Sequence, residues 1–184
     1  RCEEPIEFLS KKQWFIKTST PELKKKWAEL GEELIWHPES MKVRYMTWVN
    51  NLNQDWSISR QRYFGVPFPV WYCADCGEPI FADEKDLPVN PLTDKPKDAV
   101  CHKCGSSNFI PESDVMDTWA TSSVTPQINC NWADDEEGCK KRMPMDMRFC
   151  GRDIITTWSL RTIIKAYYHQ NCLPWKMLIV NGWV

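Results

Sequence analysis

The sequence predicts an α/β protein that carries a small zinc ribbon. Two observations lead to this prediction: the last third of the chain reads as strand, turn, helix and strand, and four cysteines form two Cys-x-x-Cys pairs ahead of it. A third observation, apolar residues at helical spacing in the first third, adds helices that can cover a sheet. The 184 residues suffice to bury one substantial core beside a small module.

The last third predicts a parallel strand pair joined by a helix. Residues 147–150 read as a short strand, Gly151 as a turn, and Asp153 as the cap of the following helix. The apolar positions of this helix are Ile154, Ile155, Trp158, Ile163, Ile164 and Tyr167. Pro174 ends the helical segment, and residues 177–180 read as a second buried strand. Strands joined in this way pair in parallel through a crossover.

The same topology predicts where a ligand binds. In open parallel sheets, ligands lie beyond the carboxyl ends of the strands. Gly151, Arg152 and Asp153 follow the first strand of the pair, so we expect them at the edge of a pocket. The dipole at the start of the next helix favours a polar or anionic substrate group there.

The two cysteine pairs predict a structural zinc site. Each pair is followed by glycine, which tolerates the positive φ of a tight turn beneath two converging thiolates. The four predicted ligands are Cys73, Cys76, Cys101 and Cys104. Residues 77–100 between the pairs form a loop slightly longer than the usual spacing of about 15–20 residues, but compatible with a ribbon. Two redox-active dithiols or disulfides are the alternative interpretation.

The other five cysteines are expected to be reduced thiols, because an odd number of scattered cysteines in a chain of this length does not fit a secreted disulfide framework. They are Cys2, Cys130, Cys139, Cys150 and Cys172. Residues 131–143, acidic and then basic, are predicted to be a surface connection.

The first third predicts a strand and two helices. Residues 13–18 read as a short strand, and Thr20 followed by Pro21 reads as the start of a helix. A second helix is expected after Pro38. Its predicted core stripe is Met41, Tyr45, Trp48, Val49 and Leu52. Residues 66–72 read as an extended strand that leads into the first cysteine pair.

Charge and hydropathy exclude some functions. With a net charge of −2, no overall field attracts nucleic acid, so such contact would need a local patch. No export signal and no apolar run of membrane-spanning length occurs, and a cytoplasmic location without a membrane partner is expected. The first and last residues read as those of a piece cut from a longer polypeptide.

One long run of residues resembles a known family. Residues 56–71, WSISRQRYFGVPFPVW, closely resemble a block of class I aminoacyl-tRNA synthetases of the valine, isoleucine and leucine subgroup, with Ser57 in place of the usual cysteine. Further matches, in the same order as in the family, are Gln13-Trp14-Phe15, Asp117-Thr118-Trp119 with Ser122-Ser123, and Gly151-x-Asp153-Ile154-Ile155. The resemblance therefore covers essentially the whole chain.

The forms of two motifs narrow the resemblance. DTWxxSS at 117–123 and GxDIIxxW at 151–158 look like the valine branch rather than the isoleucine or leucine branches. The zinc knuckles and DIITTW at 153–158 resemble the archaeal type of the valine branch. The resemblance implies the C-terminal part of a Rossmann-type catalytic domain with an inserted small zinc ribbon. Residues 1–71 would follow the editing insertion, 72–110 would form the ribbon, and 111–184 would form the second half of the Rossmann-like domain.

The resemblance also implies a reaction and its site. The parent enzyme would activate valine with ATP and Mg²⁺ and esterify it to the acceptor end of a tRNA. The residues implied for valine and its adenylate are Trp119, Trp158, Gly151, Asp153 and Ile154, while Arg60 and Arg62 would contact tRNA or phosphate. Core packing of the tryptophans, a helix cap at Asp153 and a structural ion pair of the arginines are the alternatives.

Two signatures of the class are missing from this sequence. Neither a His-Ile-Gly-His-like nor a Lys-Met-Ser-Lys-Ser-like motif occurs, so no catalytic side chain is assigned. We expect the 184 residues alone to be inactive and to need the N-terminal and C-terminal parts of the same enzyme. Arg152 and the pair Ala120-Thr121 also depart from the commoner family residues. The alternative functions are a fragment of an isoleucine or leucine enzyme of the same subgroup, and a non-catalytic module whose ribbon and basic-aromatic segment hold RNA.

Overall fold

A computed structural model describes residues 5, 7, 10–97 and 100–182. Its strands are β1 (Phe15–Ile16), β2 (Ile35–His37), β3 (Trp56–Ser57), β4 (Ser59–Arg60), β5 (Val70–Cys73), β6 (Pro79–Phe81), β7 (Phe109–Pro111), β8 (Val115–Met116), β9 (Met145–Gly151) and β10 (Trp175–Asn181). Its α-helices are α1 (Pro21–Glu33), α2 (Met41–Asn50), α3 (Thr118–Ser122), α4 (Thr125–Asn129), α5 (Glu136–Arg142) and α6 (Leu160–Gln170). This mixed content confirms the α/β class.

A three-stranded parallel sheet with the order β2–β10–β9 forms the centre of the fold. Leu178 in β10 lies opposite Arg148 on one side and Trp36 on the other. The predicted parallel pair is therefore confirmed, and both of its strands extend beyond the residues assigned from sequence. Strand β2 has only three residues and was not predicted, because so short a run carries no periodicity.

The main core lies where α1, α2 and α6 pack together beside this sheet. Two of its polar side chains are paired internally: the Trp27 indole N–H donates to the Thr18 carbonyl at 3.0 Å, and the Tyr45 hydroxyl donates to the Trp27 carbonyl at 2.9 Å. Complete burial raises the pKa of Tyr45, so it remains a neutral donor. The largest fully buried side chains around it include Trp27, Trp175, Tyr45, Ile155, Ile163, Ile164 and Leu178.

One predicted core position on α2 is wrong. Tyr45 and Val49 are fully buried, but Trp48 is 48% exposed. The predicted stripe was wider than the face that α2 turns towards α1 and the sheet. Trp48 instead borders a cleft between the end of α2 and α6.

The segment after β9 differs from the continuous helix that was predicted. A 3-10 turn (Arg152–Ile154) and a π-helical turn (Ile155–Ser159) precede α6. Asp153 lies inside the 3-10 turn and does not cap a helix, which corrects that prediction. The Thr162 hydroxyl donates to the Trp158 carbonyl at 2.8 Å, and this side-chain bond supports the irregular turn from the next helical residues.

A separate antiparallel sheet, with the order β6–β5–β7, carries the cysteine pairs. The extended strand predicted at 66–72 is observed as β5, preceded by a single bridge between Pro67 and Val115. Two short antiparallel pairs, β1–β3 and β4–β8, are separate from both sheets. The strand predicted at 13–18 is reduced to the two residues of β1.

The expectation of reduced thiols is wrong for one pair, because Cys130 and Cys139 form a disulfide with their Cα atoms 4.8 Å apart. The predicted surface connection at 131–143 contains α5, whose first turn is acidic and whose last turn is basic, as the helix dipole favours. Asp135 caps α5 by accepting the Gly138 N–H at 2.8 Å. Cys2 lies outside the described residues.

None of the helices in the described ranges is long and apolar enough to span a bilayer.

Substitution of Gly31 by alanine tests the packing of α1 on α2. A Cβ at Gly31 would lie 2.7 Å from Cδ1 of Tyr45, whose ring is held in the core. Alanine should lower the free energy of unfolding by about 1 kcal/mol or more, because overpacking exceeds the gain in helix propensity. Urea unfolding of the polypeptide measures the change. Gly182→Ala is the matched control, since a Cβ added at Gly182 would have no other atom within 4 Å; an equal effect of both substitutions would contradict this packing.

Candidate substrate site and metal centre

The carboxyl end of β9 forms a glycine–aspartate corner. Gly151 is the last residue of β9 and lies opposite Asn181 of β10. Asp153 follows in the 3-10 turn with an exposed side chain. A Cβ at Gly151 would lie 2.7 Å from Oδ1 of Asp153, so glycine is what allows the carboxylate to lie over the strand end. Ile154, the next predicted site residue, is half-buried against the main core.

Trp158 is a packed residue of the π-helical turn and only 6% exposed. Its ring stacks on Trp175 of β10 with centroids 5.4 Å apart and an interplanar angle of 16°. The Arg148 guanidinium lies 4.9 Å from the ring centroid. The indole N–H donates to the Ser122 carbonyl at the end of α3, at 3.2 Å. These contacts fix the ring in a single orientation.

Trp119 lies in α3, whose last residue accepts that hydrogen bond. Its side chain is 36% exposed, in contrast to the buried Trp158. The structure therefore brings the segment that carries Trp119 next to the turn that carries Trp158. Their environments differ, because one indole is available at the surface and the other forms part of the core.

The two predicted arginines occupy different environments. The Arg60 guanidinium lies 3.4 Å from Oδ2 of Asp117 and donates to the carbonyls of Ser57 and Ser59 at 3.1 and 2.7 Å. Arg60 thus ties the β4–β8 pair to the start of α3, which is the structural ion pair considered from sequence. Arg62 lies on an exposed loop beside Tyr63, which is 93% exposed.

The two cysteine pairs converge, and their four Sγ atoms all lie within 4.8 Å of one another. Cys73 Sγ is 3.4 Å from Cys104 Sγ, and Cys76 Sγ is 3.7 Å from Cys101 Sγ. Four sulfurs bound tetrahedrally at about 2.3 Å to zinc are separated by about 3.8 Å, so this set fits such an ion. Each turn depends on a glycine in the left-handed region, where φ is 73° at Gly77 and 77° at Gly105.

Two of these thiols, Cys73 and Cys104, have pKa values shifted in opposite directions. The Cys76 backbone N–H donates to the sulfur of Cys73 and, despite desolvation, lowers the pKa of Cys73 to about 6. The Ser106 N–H acts in the same direction on Cys104, but the sulfurs of Cys73 and Cys76 raise the pKa of Cys104 to about 12. Four adjacent thiolates would repel one another, and a bound divalent cation offsets that repulsion.

Glu112 joins the cysteine-bearing sheet to the start of the described chain, and sequence reasoning missed it. Its Oε2 accepts the Trp14 indole N–H at 2.9 Å and the Tyr72 hydroxyl at 2.7 Å. Desolvation and this carboxylate raise the pKa of Tyr72 to about 12. Trp14 belongs to a family motif, but only the fold reveals its partner, 98 residues away in sequence.

Comparison with known proteins agrees with this architecture. The family model described as tRNA synthetases class I (I, L, M and V) matches residues 3–184. The chain is 50% identical over 182 residues to the valine--tRNA ligases of Thermoplasma volcanium and of Thermoplasma acidophilum, covering 99% of this chain and 22% of each relative. It is 42% identical to the valine--tRNA ligase of Methanocaldococcus jannaschii, covering all of this chain and 20% of that relative.

A solved structure also resembles the chain. The LeuRS–tRNA–LeuAMS ternary complex of Agrobacterium radiobacter K84 aligns with a TM-score of 0.52 and 25% identity, covering 71% of this chain and 19% of that one. The chain spans about a fifth of the length of these relatives. The predicted resemblance to valine enzymes is confirmed at the level of sequence. By the match over residues 3–184, the chain belongs to the class I tRNA synthetases of the I, L, M and V group.

Proposed function

We propose that this chain is the second half of the catalytic domain of a valine--tRNA ligase. The supporting observation is its 50% identity to valine--tRNA ligases over 99% of its length. The reaction of the whole enzyme is attack of the valine carboxylate on the α-phosphate of ATP, with release of pyrophosphate. Transfer of the valyl group to the terminal ribose of tRNA follows. Mg²⁺ binds together with ATP as its counterion.

The glycine–aspartate corner is proposed to hold the adenylate. Gly151 offers backbone that a ligand can approach closely, since it has no side chain. The exposed carboxylate of Asp153 accepts hydrogen bonds from a ribose hydroxyl or from the ammonium group of valine. Ile154 lines the same edge. These residues contribute position and charge stabilisation rather than proton transfer, and such positioning supplies most of the catalysis in this kind of reaction.

The two tryptophans are proposed to wall the valine side chain. Trp158 is a rigid back wall because Trp175 and the Ser122 carbonyl hold its ring. Trp119 forms the opposite wall, and because it is 36% exposed it can be reached by a substrate. Rigid indoles exclude the additional methylene of isoleucine by steric conflict. They discriminate only about 10²-fold against threonine, which is nearly isosteric with valine, so editing elsewhere in the enzyme is required.

The cysteine cluster is proposed to bind a structural zinc ion within a ribbon at 72–110. Residues 1–71 then follow the editing insertion, and residues 111–184 complete the Rossmann-like unit. Arg62 is the proposed contact to the tRNA acceptor end, because it is exposed beside exposed aromatic rings. Arg60 acts by holding Asp117 and the start of α3 in place. The LeuRS relative that binds tRNA supports this partner.

An RNA-binding module without catalysis is less well supported. The family match extends over residues 3–184 rather than over the ribbon alone. The net charge of −2 also provides no broad basic surface.

Substitution of Asp153 tests the proposed adenylate site. In the full polypeptide that carries this chain, Asp153→Asn should reduce valine-dependent ATP–pyrophosphate exchange about tenfold or more, because a charged acceptor is lost where the substrate carries its donors. Asp146→Asn is the control, since Asp146 is also exposed but lies at the opposite end of β9. Full exchange activity in the Asp153 variant would refute the assignment.

Removal of single ligands tests the zinc site. Cys73→Ser and Cys101→Ser should each abolish bound zinc and expose residues 72–110 to proteolysis, because metal binding and local folding are one equilibrium. Elemental analysis measures the metal, and Cys172→Ser should retain it because Cys172 lies outside the cluster. Stoichiometric zinc in both serine variants would overturn the proposal.

A further inference from the structure

Arg161 lies in α6 at a cavity that the proposed reaction does not use. The cavity has a volume of about 340 Å³ and lies between the end of α2, the residues that follow it, and α6. Such a volume falls in the range of small-molecule sites, about 300–1,000 Å³. We call it the Arg161 cavity, lined by Trp48, Asn51, Asn53, Gln54, Trp56 and Arg161 among others.

The guanidinium of Arg161 has hydrogen-bonding capacity that is not used. It stacks on the ring of Trp56 at 4.2 Å from the centroid. Its Nε is buried without a hydrogen-bond partner among the described residues, and no ion pair with Arg161 occurs there. Asp117, the carboxylate that influences it, is paired instead with Arg60. A buried donor without a partner is costly, so the Nε–H of Arg161 favours an acceptor that enters the cavity.

Burial also lowers the pKa of this guanidinium, but not far enough to deprotonate it at neutral pH. Desolvation lowers the pKa of Arg161 to about 10. The positive charge of Arg60 acts in the same direction, and the negative charge of Asp117 acts against it. Arg161 therefore stays protonated at neutral pH. An anion that entered the cavity would offset the desolvation cost by Coulomb attraction and accept the unpaired Nε–H at the same time.

The walls of the cavity favour a small anion attached to a flat ring. Trp48 presents a 48% exposed indole on which a planar group can stack. Asn53 and Gln54 add exposed amides that can donate to or accept from a polar ring edge. Asp55 is the one carboxylate that lines the cavity, and its Oδ1 already accepts bonds from Thr18 and Ser19. This negative charge disfavours a ligand as highly charged as a triphosphate.

We propose that the Arg161 cavity binds a single nucleotide unit, with its phosphate on the Arg161 guanidinium and its base against the Trp48 indole. The unit belongs either to a free mononucleotide or to a single-stranded RNA, which present the same chemistry. This site is separate from the proposed substrate site. None of Trp119, Gly151 and Asp153 lines the cavity, and its inner wall is the helix face that carries Thr156, Leu160 and Ile164.

Calorimetric titration of AMP into the full polypeptide tests this site. The proposed catalytic site is first saturated with a non-hydrolysable valyl-adenylate analogue, so that only a second site remains for AMP. We expect one AMP per chain to bind, and Arg161→Met to weaken that binding about tenfold or more. Trp48→Ala, at a half-exposed position, should weaken it severalfold. Arg161→Lys should recover part of the affinity, because it restores the charge without the planar fork.

Arg44→Met is the matched control, since Arg44 is exposed on α2 and does not line the cavity. A parallel titration with a single-stranded RNA trinucleotide distinguishes the two sources: tighter binding of the trinucleotide than of AMP identifies an RNA strand, and the reverse identifies a free nucleotide. The proposal is wrong if neither ligand depends on Arg161, or if another segment of the polypeptide fills the cavity. A failure of the analogue to bind would count against the proposed function instead, and Arg161-dependent AMP binding would still be measurable.

Discussion

The indole of Trp158 is the contact on which the candidate site depends. One face stacks on Trp175 of the central strand, and its N–H donates to the Ser122 carbonyl at the end of α3. The sheet, the turn after β9 and the segment with Trp119 are thereby held together. This hydrogen bond adds to the packing of α3 against the π-helical turn and α6, so the segment with Trp119 lies next to the turn that follows the glycine–aspartate corner. Because the ring is closely packed in the core, its neighbours restrict it to one position.

The irregular turns after β9 allow Asp153 and Trp158 to face different environments. A regular helix that began at Asp153 would impose a constant rotation of about 100° per residue on the side chains that follow. The 3-10 and π-helical turns break that rotation, and π-helical turns are often found at functional sites. Asp153 stays exposed at the strand end while Trp158 reaches into the core. The Thr162 hydroxyl donates to the Trp158 carbonyl, which gives this carbonyl of the irregular turn a hydrogen-bond partner.

Local signals in the sequence predicted the parts of the fold that depend on local chemistry. Gly77 and Gly105 indicated turns that require positive φ, and both turns are present. The parallel strand pair followed from apolar runs around one amphipathic helix. Most of what could not be predicted depends on distant partners. Trp48 has a core-like position in its helix, but its indole stays 48% exposed because the face of α2 that meets α1 is narrower than the apolar stripe. The contacts of Glu112 exist only once remote segments meet, whereas the Cys130–Cys139 disulfide joins residues only nine apart and was missed because the scattered cysteines were expected to be reduced thiols.

A crystal structure of the full polypeptide with a valyl-adenylate analogue would show whether the glycine–aspartate corner and the two indoles hold the adenylate together. A ribose hydroxyl or the ammonium group should lie about 3 Å from the Asp153 carboxylate. The valine side chain should lie between the indoles of Trp119 and Trp158, with the Trp158–Ser122 hydrogen bond intact. An analogue bound away from Asp153, or a Trp158 ring that turns out of its stack on Trp175 when the analogue binds, would contradict this arrangement.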